Sequence, residues 1–200
     1  MTDHRQYAPS AHRNRDLIRD ELASRWPGTG TVLEIASGSG EHVIHFAPTA
    51  PHLTFQPTDP SAEARASIDA WVREAALCRI RPAMDLDVTA KDWPVDEAAM
   101  MICINMIHIA PWEATLGLMR GAGRVLTPGG TLWLYGPFIR DGVETAEGNV
   151  AFDGWLKEKD PRFGVRRLED VADIAMSEGL AAPEVVEMPA NNCLVGFQKT

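Results

Sequence analysis

The 200-residue sequence has few cysteines and no long hydrophobic run. Its three cysteines, Cys78, Cys103 and Cys193, lie far apart and form no CxxC pair, which argues against a disulfide framework and a cysteine zinc site. No apolar stretch reaches the roughly 18 residues that a membrane-spanning helix needs. The first residues are polar and lack the apolar core of a signal peptide. These absences predict a cytoplasmic protein with no membrane partner and no metal.

Positive charge is also scarce. The chain carries 19 Lys and Arg residues against 28 Asp and Glu residues, a net charge of −9. Because a phosphate backbone is bound by clustered Lys and Arg, this balance argues against a nucleic-acid partner and favours a small-molecule substrate. The length suits one hydrophobic core. We therefore expect a single domain over residues 1–200, with residues 1–28 as an N-terminal helix and lid. The sequence leaves the oligomeric state open.

Short apolar runs alternate along the chain with segments of helical periodicity. The run at 79–84 contains Pro82 and is therefore expected near a sheet edge, while Ser61 is a predicted helix N-cap. The alternation predicts an α/β Rossmann-like fold: a seven-stranded, mainly parallel sheet with helices on both faces and a closing antiparallel hairpin. Predicted strands span 31–36, 52–56, 79–84, 99–104, 131–135, 183–188 and 193–198, and predicted helices span 10–26, 42–46, 61–77, 111–126, 150–157 and 168–178.

A glycine-rich turn follows the first predicted strand. Glu34 stands four residues before Gly38, which with Gly40 forms a Gly-x-Gly pair. Glycine lets the backbone turn sharply and lets a ligand lie against it. Val43 replaces the third glycine of the dinucleotide fingerprint, which argues against NAD. A tight turn without a ligand is the alternative, but the nearby acids favour a cofactor loop. Its candidate residues are Glu34, Ala36, Ser37, Gly38 and Gly40.

Acidic residues follow the next two predicted strands. Asp59, after the second, can accept hydrogen bonds from both hydroxyls of a ribose, or it can simply cap the following helix. Asp85 and Asp87 flank Leu86 after the third. One of these carboxylates can accept a hydrogen bond from an adenine amine, with the backbone of Leu86 assisting. A solvated acidic loop is an equally favoured alternative.

Polar residues follow the fourth predicted strand, where an open parallel sheet forms its ligand crevice. Asn105 is a candidate cofactor-binding residue that can hydrogen-bond the ligand, or it can brace the loop. His108 can take a proton from a substrate as a general base, and its alternative is a buried structural histidine. If His108 is the base, His108→Ala should lower turnover about 100-fold or more while cofactor binding survives.

These motifs resemble those of the class I S-adenosylmethionine-dependent methyltransferases, from Val32 through Gln198. In that superfamily the glycine loop holds the amino-acid part of the cofactor, the next acid holds the ribose, and the third-strand loop holds adenine. Ser37 departs from the acidic, Cys or Thr residue that many members have before the first glycine. The resemblance implies cofactor contacts by Glu34, Gly38, Gly40, Asp59 and Asp85.

A closer resemblance is to a methyltransferase-like family of unknown function, the methyltransferase-like twenty-six type. This resemblance names no substrate. It is carried by Tyr7-Ala8-Pro9-Ser10 with Arg13-Asn14, Asn105-Met106-Ile107-His108, Leu134-Tyr135-Gly136-Pro137-Phe138, Asn149 with Phe152-Asp153, and Met188-Pro189-Ala190-Asn191-Asn192.

The same segments fit one substrate pocket at the edge where the predicted strands end. Amide side chains there can bond a polar substrate and aromatic ones can wall it, although for any single residue a core or turn role is equally favoured. Asp153 and Tyr135 are candidate bases after His108. Residues 7–14 are expected to fold over the cofactor as a lid. The predicted substrate pocket comprises Asn14, Trp112, Phe138, Asn149, Phe152, Asn191 and Asn192.

The sequence therefore predicts methyl transfer from S-adenosylmethionine to a small molecule. One alternative is a module that binds this cofactor without catalysis and acts through a partner. Another is an NAD-dependent oxidoreductase, which the missing third glycine disfavours. A nucleic-acid base methyltransferase is also disfavoured, because Asn-Met-Ile-His replaces the usual Asn/Asp-Pro-Pro-aromatic run.

Overall fold

The structure, a computed structural model, describes residues 3–200; Met1 and Thr2 of the predicted lid lie outside the described residues. Helices and strands alternate over most of its length. The helices are α1 (Pro9–Leu22), α2 (Glu41–Phe46), α3 (Ala62–Ala75), α4 (Trp112–Val125), α5 (Glu147–Lys159) and α6 (Leu168–Ser177). The strands are β1 (Thr31–Ile35), β2 (Thr54–Pro57), β3 (Ala98–Ile104), β4 (Leu126–Ile139), β5 (Arg166–Arg167), β6 (Glu184–Met188) and β7 (Asn192–Gln198).

The sheet confirms the predicted fold class. Its strands lie in the order β2-β1-β3-β4-β7-β6, and the short β5 pairs with β4 off this path. The strands β2, β1, β3 and β4 run parallel, as helical crossovers require. The closing pair runs antiparallel: β7 pairs with both β4 and β6. The carboxyl ends of the parallel strands therefore meet at one edge.

One predicted strand is wrong. Residues 79–84 form only two isolated bridges to the chain around β2, Phe55 with Ile80 and Thr58 with Met84. Pro82 lies between the bridges and has no N–H to donate, so a continuous ladder does not form. This segment nevertheless follows the edge of the sheet beside β2, the position expected for it.

The region after the fifth predicted strand also differs from expectation. The predicted strand over 131–135 is too short: β4 continues to Ile139, and β7 pairs with it as far as Pro137. The two-residue β5 was not predicted, and it pairs with Phe138 and Ile139 of β4. Sequence periodicity missed both features because they depend on partners that are distant in the chain.

Helix ends follow local chemistry. The Ser61 hydroxyl accepts a hydrogen bond from the Ala64 N–H at 3.3 Å, which confirms the predicted N-cap of α3. Pro9 begins α1, and this helix ends at Leu22 rather than at residue 26. None of the helices between residues 3 and 200 combines the length and the apolar character that crossing a bilayer demands.

Two apolar layers cover the faces of the sheet. Alternate residues of a strand point to opposite faces, so Leu33 and Val32 of β1 join different layers. Helices α4 and α6 cover the face of Leu33, and α1, α2 and α3 cover the face of Val32. Both layers leave the carboxyl ends of the strands uncovered by helices, and the site forms there.

Candidate active site

The glycine-rich turn after β1 is tight on one side and open on the other. Ala36, Gly38 and Gly40 all have positive φ values, of 51°, 56° and 91°. A Cβ added to Gly40 would lie 2.8 Å from the Cα of Ile68 on α3, so only glycine fits between the turn and that helix. A Cβ added to Gly38 would meet nothing within 4 Å. The turn therefore presents bare backbone to open space at Gly38.

Asp59 braces this turn. Its Oδ2 accepts a hydrogen bond from the Gly38 N–H at 3.0 Å, and its Oδ1 accepts one from the Ser61 N–H at 2.9 Å. The carboxylate is largely buried and contributes to the wall of a cavity. Since each carboxylate oxygen can accept a second hydrogen bond, Asp59 keeps capacity for a ligand. Asp59 thus lies at the wall of the cavity, whereas the N-cap of α3 is Ser61 and not Asp59.

A cavity of about 480 Å³ opens between the ends of β1, β2 and β3. Its volume lies within the usual range of small-molecule sites. Apolar side chains dominate the lining, with carboxylates at Asp59 and Asp87. We call it the nucleoside cavity, after the ligand that the sequence predicts for this edge of the sheet. Of the predicted cofactor residues, it is lined by Ala36, Gly38, Asp59 and Leu86.

Asp85 is not part of this cavity, which corrects the sequence-based assignment. Its side chain is 69% exposed and pairs with Arg65 at 3.2 Å. Asp87, on the other side of Leu86, lines the cavity instead. The Asp87 Oδ1 accepts hydrogen bonds from the N–H and the hydroxyl of Thr89, both at 2.8 Å. Residues two apart point to the same side of an extended segment, so the alternation of the sequence could not decide between the two acids.

Glu34 is a buried acid on β1, just before the turn. Burial raises the pKa of its carboxyl to about 8, and the charge of Asp59 adds to this effect while a hydrogen bond from Ser37 opposes it. Its Oε2 has no hydrogen-bond partner within residues 3–200. An unsatisfied buried acceptor is costly, so this oxygen is suited to receive a donor from a bound molecule.

Two residues of the predicted cofactor loop, Ser37 and Gly40, have structural roles. Ser37 is buried and its Oγ accepts a hydrogen bond from the Thr58 N–H at 3.2 Å, which ties the turn to the end of β2. Gly40 provides the close contact with α3 described above. Neither lines the nucleoside cavity. Across residues 3–200, no cluster of three or more His, Cys or acidic side chains is arranged to hold a metal ion.

A second cavity, of about 750 Å³, adjoins the first; Ile109 lines both. We call it the acceptor cavity. Helix α1, the ends of β3 and β4, helix α5 and the 189–192 segment surround it. The predicted residues that line it are Asn14, Asn105, Tyr135, Asn149, Phe152 and Asn192, and further lining residues are Ser10, Arg13, Leu17, Ile109, Pro137, Trp155, Pro189 and Ala190.

Tyr135 reaches this cavity from β4 at the end of a short polar chain. The Nε2 of His42 lies 2.9 Å from the Oδ1 of Asn14, and the Asn14 side chain acts on the Tyr135 phenol, whose pKa it lowers against the larger effect of burial. Burial raises the pKa of Tyr135, so the phenol keeps its proton at neutral pH. If Asn14 donates to the phenol oxygen, the Tyr135 hydroxyl is free to donate into the cavity. Tyr135 is therefore a hydrogen-bond donor rather than the base predicted from the sequence.

Asn105 lines the acceptor cavity and not the nucleoside cavity, where the sequence analysis had placed it. It ends β3 in the left-handed conformation, with a φ of 60°, and its N–H donates to the Tyr135 carbonyl at 2.8 Å. Asparagine tolerates this conformation better than most residues. The strained turn carries the chain between the two cavities.

The structure does not support the predicted general-base role of His108. Its side chain is fully buried and lines neither cavity. Its Nδ1 accepts a hydrogen bond from the Arg166 N–H at 3.4 Å, and its ring packs edge-on against Phe138 at 5.1 Å. Burial lowers the pKa of His108 to about 3, with Arg166 adding to the effect. A neutral imidazole held in the core cannot reach a substrate, so the structural alternative describes it better.

Four other predicted residues also lie outside the acceptor cavity. Asp153 accepts hydrogen bonds from the Val165 N–H at 2.9 Å and from Lys157 at 2.5 Å, so it anchors α5 and is not free to act as a base. Trp112 packs on the core and against the Arg166 guanidinium. The remaining two, Phe138 and Asn191, line a separate small cavity of about 50 Å³. Sequence spacing placed these side chains near the site but could not give their directions.

Hydrogen bonds hold the N-terminal segment beside the glycine-rich turn. The Gln6 N–H donates to the Ser67 hydroxyl at 2.8 Å, and that hydroxyl donates to the Ser39 carbonyl at 2.7 Å. The Ala8 N–H donates to the Glu41 carboxylate at 2.6 Å. These bonds join the start of α1 to the glycine-rich turn, while α1 itself walls the acceptor cavity. The arrangement is consistent with the expected lid, whose motion stays a prediction.

The architecture is that of the Rossmann-like methyltransferases. The chain is similar to an O-methyltransferase family protein from Burkholderia thailandensis, with a TM-score of 0.80 and 17% identity over 96% of this chain and 56% of that one. It is also similar to a putative O-methyltransferase from Nostoc punctiforme, with a TM-score of 0.80 and 16% identity over 96% and 57% of the two chains. A methyltransferase of calicheamicin biosynthesis, solved in an S-adenosylhomocysteine-bound form, gives a TM-score of 0.73 and 18% identity over 92% and 54%.

The chain belongs to the family described as "Protein of unknown function (DUF938)", whose model matches residues 5–199. It spans a little over half the length of the solved structures named above. At 16–18% identity these likenesses establish the fold. The chemistry of this chain has to be argued from its own cavities.

Proposed function

We propose that this protein binds S-adenosylmethionine in the nucleoside cavity and transfers its methyl group to a small molecule bound in the acceptor cavity. The observation that carries this proposal is the adjoining pair of cavities at the carboxyl edge of the sheet, which share Ile109. One is bordered by a glycine-rich turn and two carboxylates, and the other by amides and aromatic rings. The fold shared with S-adenosylmethionine-dependent methyltransferases supports the same conclusion.

The residues present fit this cofactor. The open backbone at Gly38 leaves room for the methionine part. We assign the ammonium of that part to the unsatisfied Oε2 of Glu34, which lies just before the turn and outside the cavity lining. Asp59 has acceptor capacity for the ribose hydroxyls. Asp87, rather than Asp85, is placed at the cavity wall for the adenine amine, beside the apolar Leu86. When bound, the cofactor supplies a methyl group already activated on a sulfonium.

The protein's remaining task is to align the acceptor and to exclude water. Apolar side chains at Leu17, Ile109 and Phe152 help to enclose the acceptor cavity. Tyr135 can hold the acceptor through its hydroxyl, and Asn14 fixes the phenol from behind. We assign these residues to positioning, with Tyr135 in direct contact with the acceptor.

Several finer assignments stay predictions. They are the closer kinship with the methyltransferase-like twenty-six type, the cytoplasmic location, and an acceptor that is neither nucleic acid nor membrane. The single-domain organisation with an N-terminal lid belongs with them.

Titration calorimetry with S-adenosylhomocysteine tests the cofactor assignment. We expect saturable binding by the wild-type protein and no binding of NAD. Asp59→Asn should weaken binding about tenfold or more, because it replaces a charged acceptor of ribose hydrogen bonds. The exposed Asp92→Asn, which alters no hydrogen bond or ion pair in the structure, should bind like wild type.

A second experiment separates catalysis from binding alone. The protein is incubated with S-adenosylmethionine and a metabolite extract, and mass spectrometry follows the gain of one methyl by a small molecule. Cofactor binding without any methylated product would favour the non-catalytic module. No binding of S-adenosylhomocysteine at millimolar concentration would remove the proposed function entirely.

A further inference from the structure

The charge in the lining of the acceptor cavity is positive. Arg13 on α1 is its only charged lining residue, and no carboxylate lines it in the described part of the chain. Arg13 makes no ion pair and no side-chain hydrogen bond with any residue in the range 3–200, whereas the nearby Arg15 and Arg19 face Glu41 and Asp16. In a protein of net charge −9, an arginine left free at a cavity wall is available to a ligand.

The opposite wall is aromatic. Phe152 and Trp155 of α5 stack with their rings 5.9 Å apart and 15° from parallel. The Lys159 ammonium lies 5.4 Å from the Trp155 ring centroid but is not itself part of the cavity lining. Trp155 and Ile109 are about half exposed although both line the cavity. A flat apolar group placed against this wall would cover them.

No lining side chain can serve as a base. Apart from Arg13, the only titratable group in the lining is Tyr135, and burial raises its pKa further above neutrality. His42 lies behind Asn14, where burial lowers its pKa to about 4, and Glu34 lines neither cavity. The β3 end, α5 and the 189–192 segment contribute only amide, aromatic and aliphatic side chains to the lining. A nucleophile that must lose a proton therefore finds no side chain in this lining that can accept it.

We infer that the acceptor enters this cavity as an anion: a flat, apolar compound with a thiolate or carboxylate that lies near Arg13 and is methylated without a protein base. This inference rests on the proposed function and names its substrate class. Arg13 and the Tyr135 hydroxyl supply a charge and a donor for the anionic group. Both kinds of acceptor are ionised, or readily ionised, at neutral pH, whereas alcohols and phenols are not.

The reaction balances without proton transfer. The anionic sulfur or oxygen of the acceptor forms a bond to the methyl carbon. The bond between that carbon and the sulfonium sulfur breaks, and its electron pair returns to sulfur. One anion and one cation thus give two products that are neutral at the reacting atoms: a methyl thioether or methyl ester, and the thioether of S-adenosylhomocysteine.

Binding to the protein loaded with S-adenosylhomocysteine tests the charge preference. The probes are benzoate and its neutral counterpart benzamide, measured by ligand-observed NMR at pH 7. We expect benzoate to bind about fivefold more tightly or better, the scale of a partly exposed ion pair. Arg13→Gln should remove this difference and Arg13→Lys should keep part of it. Arg120→Gln, an exposed arginine on α4 outside both cavities, is the matched control.

Turnover distinguishes the two kinds of anion. Thiophenol, benzoate and phenol are offered with S-adenosylmethionine, and mass spectrometry detects the methylated product against a blank without protein. We expect methylation of thiophenol or of benzoate, and none of phenol at pH 7. For a set of aromatic thiols of different pKa, the inflection of kcat/KM with pH should follow the pKa of each thiol. A base on the protein would instead give one inflection common to all of them.

The results separate this inference from the proposed function. If S-adenosylhomocysteine does not bind, the proposed function fails first. If it binds but benzoate binds no better than benzamide, or Arg13→Gln leaves the preference intact, the anionic acceptor is overturned alone. Methylation of phenol at the rate of thiophenol would also overturn it. Should no probe turn over, the NMR comparison decides.

Discussion

Replacing Glu34 by glutamine should raise the free energy of unfolding of the protein and weaken its binding of the proposed cofactor. Burial raises the pKa of Glu34 from 4.5 to about 8. Each tenfold change in proton affinity corresponds to about 1.4 kcal/mol, so ionised Glu34 is about 5 kcal/mol less favourable in the folded protein than in the unfolded chain. Glutamine is nearly isosteric with the protonated acid and carries no charge. Glu34→Gln should therefore gain about 3 kcal/mol over wild type at pH 7 and about 5 kcal/mol above pH 8.

The gain has a defined pH dependence. The folded protein holds the Glu34 proton more tightly than the unfolded chain does. The contribution of Glu34 to the free energy of unfolding of wild type is therefore greatest below pH 4.5, and this contribution falls as the pH rises to about 8. His42 and His108 act in the opposite direction at lower pH, since burial lowers their pKa values to about 4 and about 3. Both histidines are present in the variant and in wild type, so their contributions cancel when the two free energies of unfolding are subtracted.

Urea unfolding of both proteins from pH 4.5 to 8.5 measures this difference. The exposed Glu97→Gln, which alters no hydrogen bond or ion pair, is the control and should track wild type. A difference that stays constant across this range would show that Glu34 is not a buried acid of raised pKa. Wild-type binding of S-adenosylhomocysteine should also release about 0.9 proton at pH 7, since an ammonium beside Glu34 lowers its pKa. Calorimetry in buffers of different ionisation enthalpy detects that proton.

Three further substitutions test other parts of the site. His108→Ala should lower the free energy of unfolding by about 2–4 kcal/mol by opening a core cavity, while kcat stays close to wild type. Gly40→Ala should cost about 1–3 kcal/mol through its contact with Ile68, whereas Gly28→Ala, where an added Cβ meets nothing within 4 Å, should not. Tyr135→Phe should lower kcat/KM about three- to tenfold for any acceptor found, with the affinity for S-adenosylhomocysteine unchanged. Urea unfolding, steady-state kinetics and calorimetry provide these values. A hundredfold loss of kcat in His108→Ala, an unaffected Gly40→Ala, or equal kcat/KM in Tyr135→Phe would each contradict the corresponding assignment.

Much of the fold could be read from local pattern. The alternation of apolar runs with helical periods predicted a mainly parallel sheet, because parallel strands require intervening crossovers and are buried on both faces. The glycine-rich turn was also predictable, since glycine adopts positive φ values such as those of Gly38 and Gly40 more readily than other residue types do. The position of Asp59 followed from the topology, because the ends of neighbouring parallel strands must meet at one edge.

The sequence could not predict the direction in which individual side chains of the site point. His108 and Asn105 are three residues apart, yet one is buried against Phe138 while the other faces the acceptor cavity. The turn between them has no regular period, so the sequence could not predict the directions of their side chains. The packing of β5, whose Arg166 N–H donates to His108, shows that the histidine points into the core. The choice between Asp85 and Asp87 was open for the same reason. Arg13 belonged to a segment that carried the family resemblance but had no role predicted for it, and only the tertiary structure brings it to the same cavity as Phe152 and Trp155 of α5.

Local conformation and period were enough to predict the alternation of strands and helices, the glycine-rich turn and the acids at the strand ends, but not the irregular segment 79–84 or the short β5. The tertiary structure alone decided which polar groups reach the cavities and which are buried neutral in the core. Those outcomes depend on contacts between segments distant in the chain, and burial then sets the protonation of Glu34 and His108 far from their ordinary values.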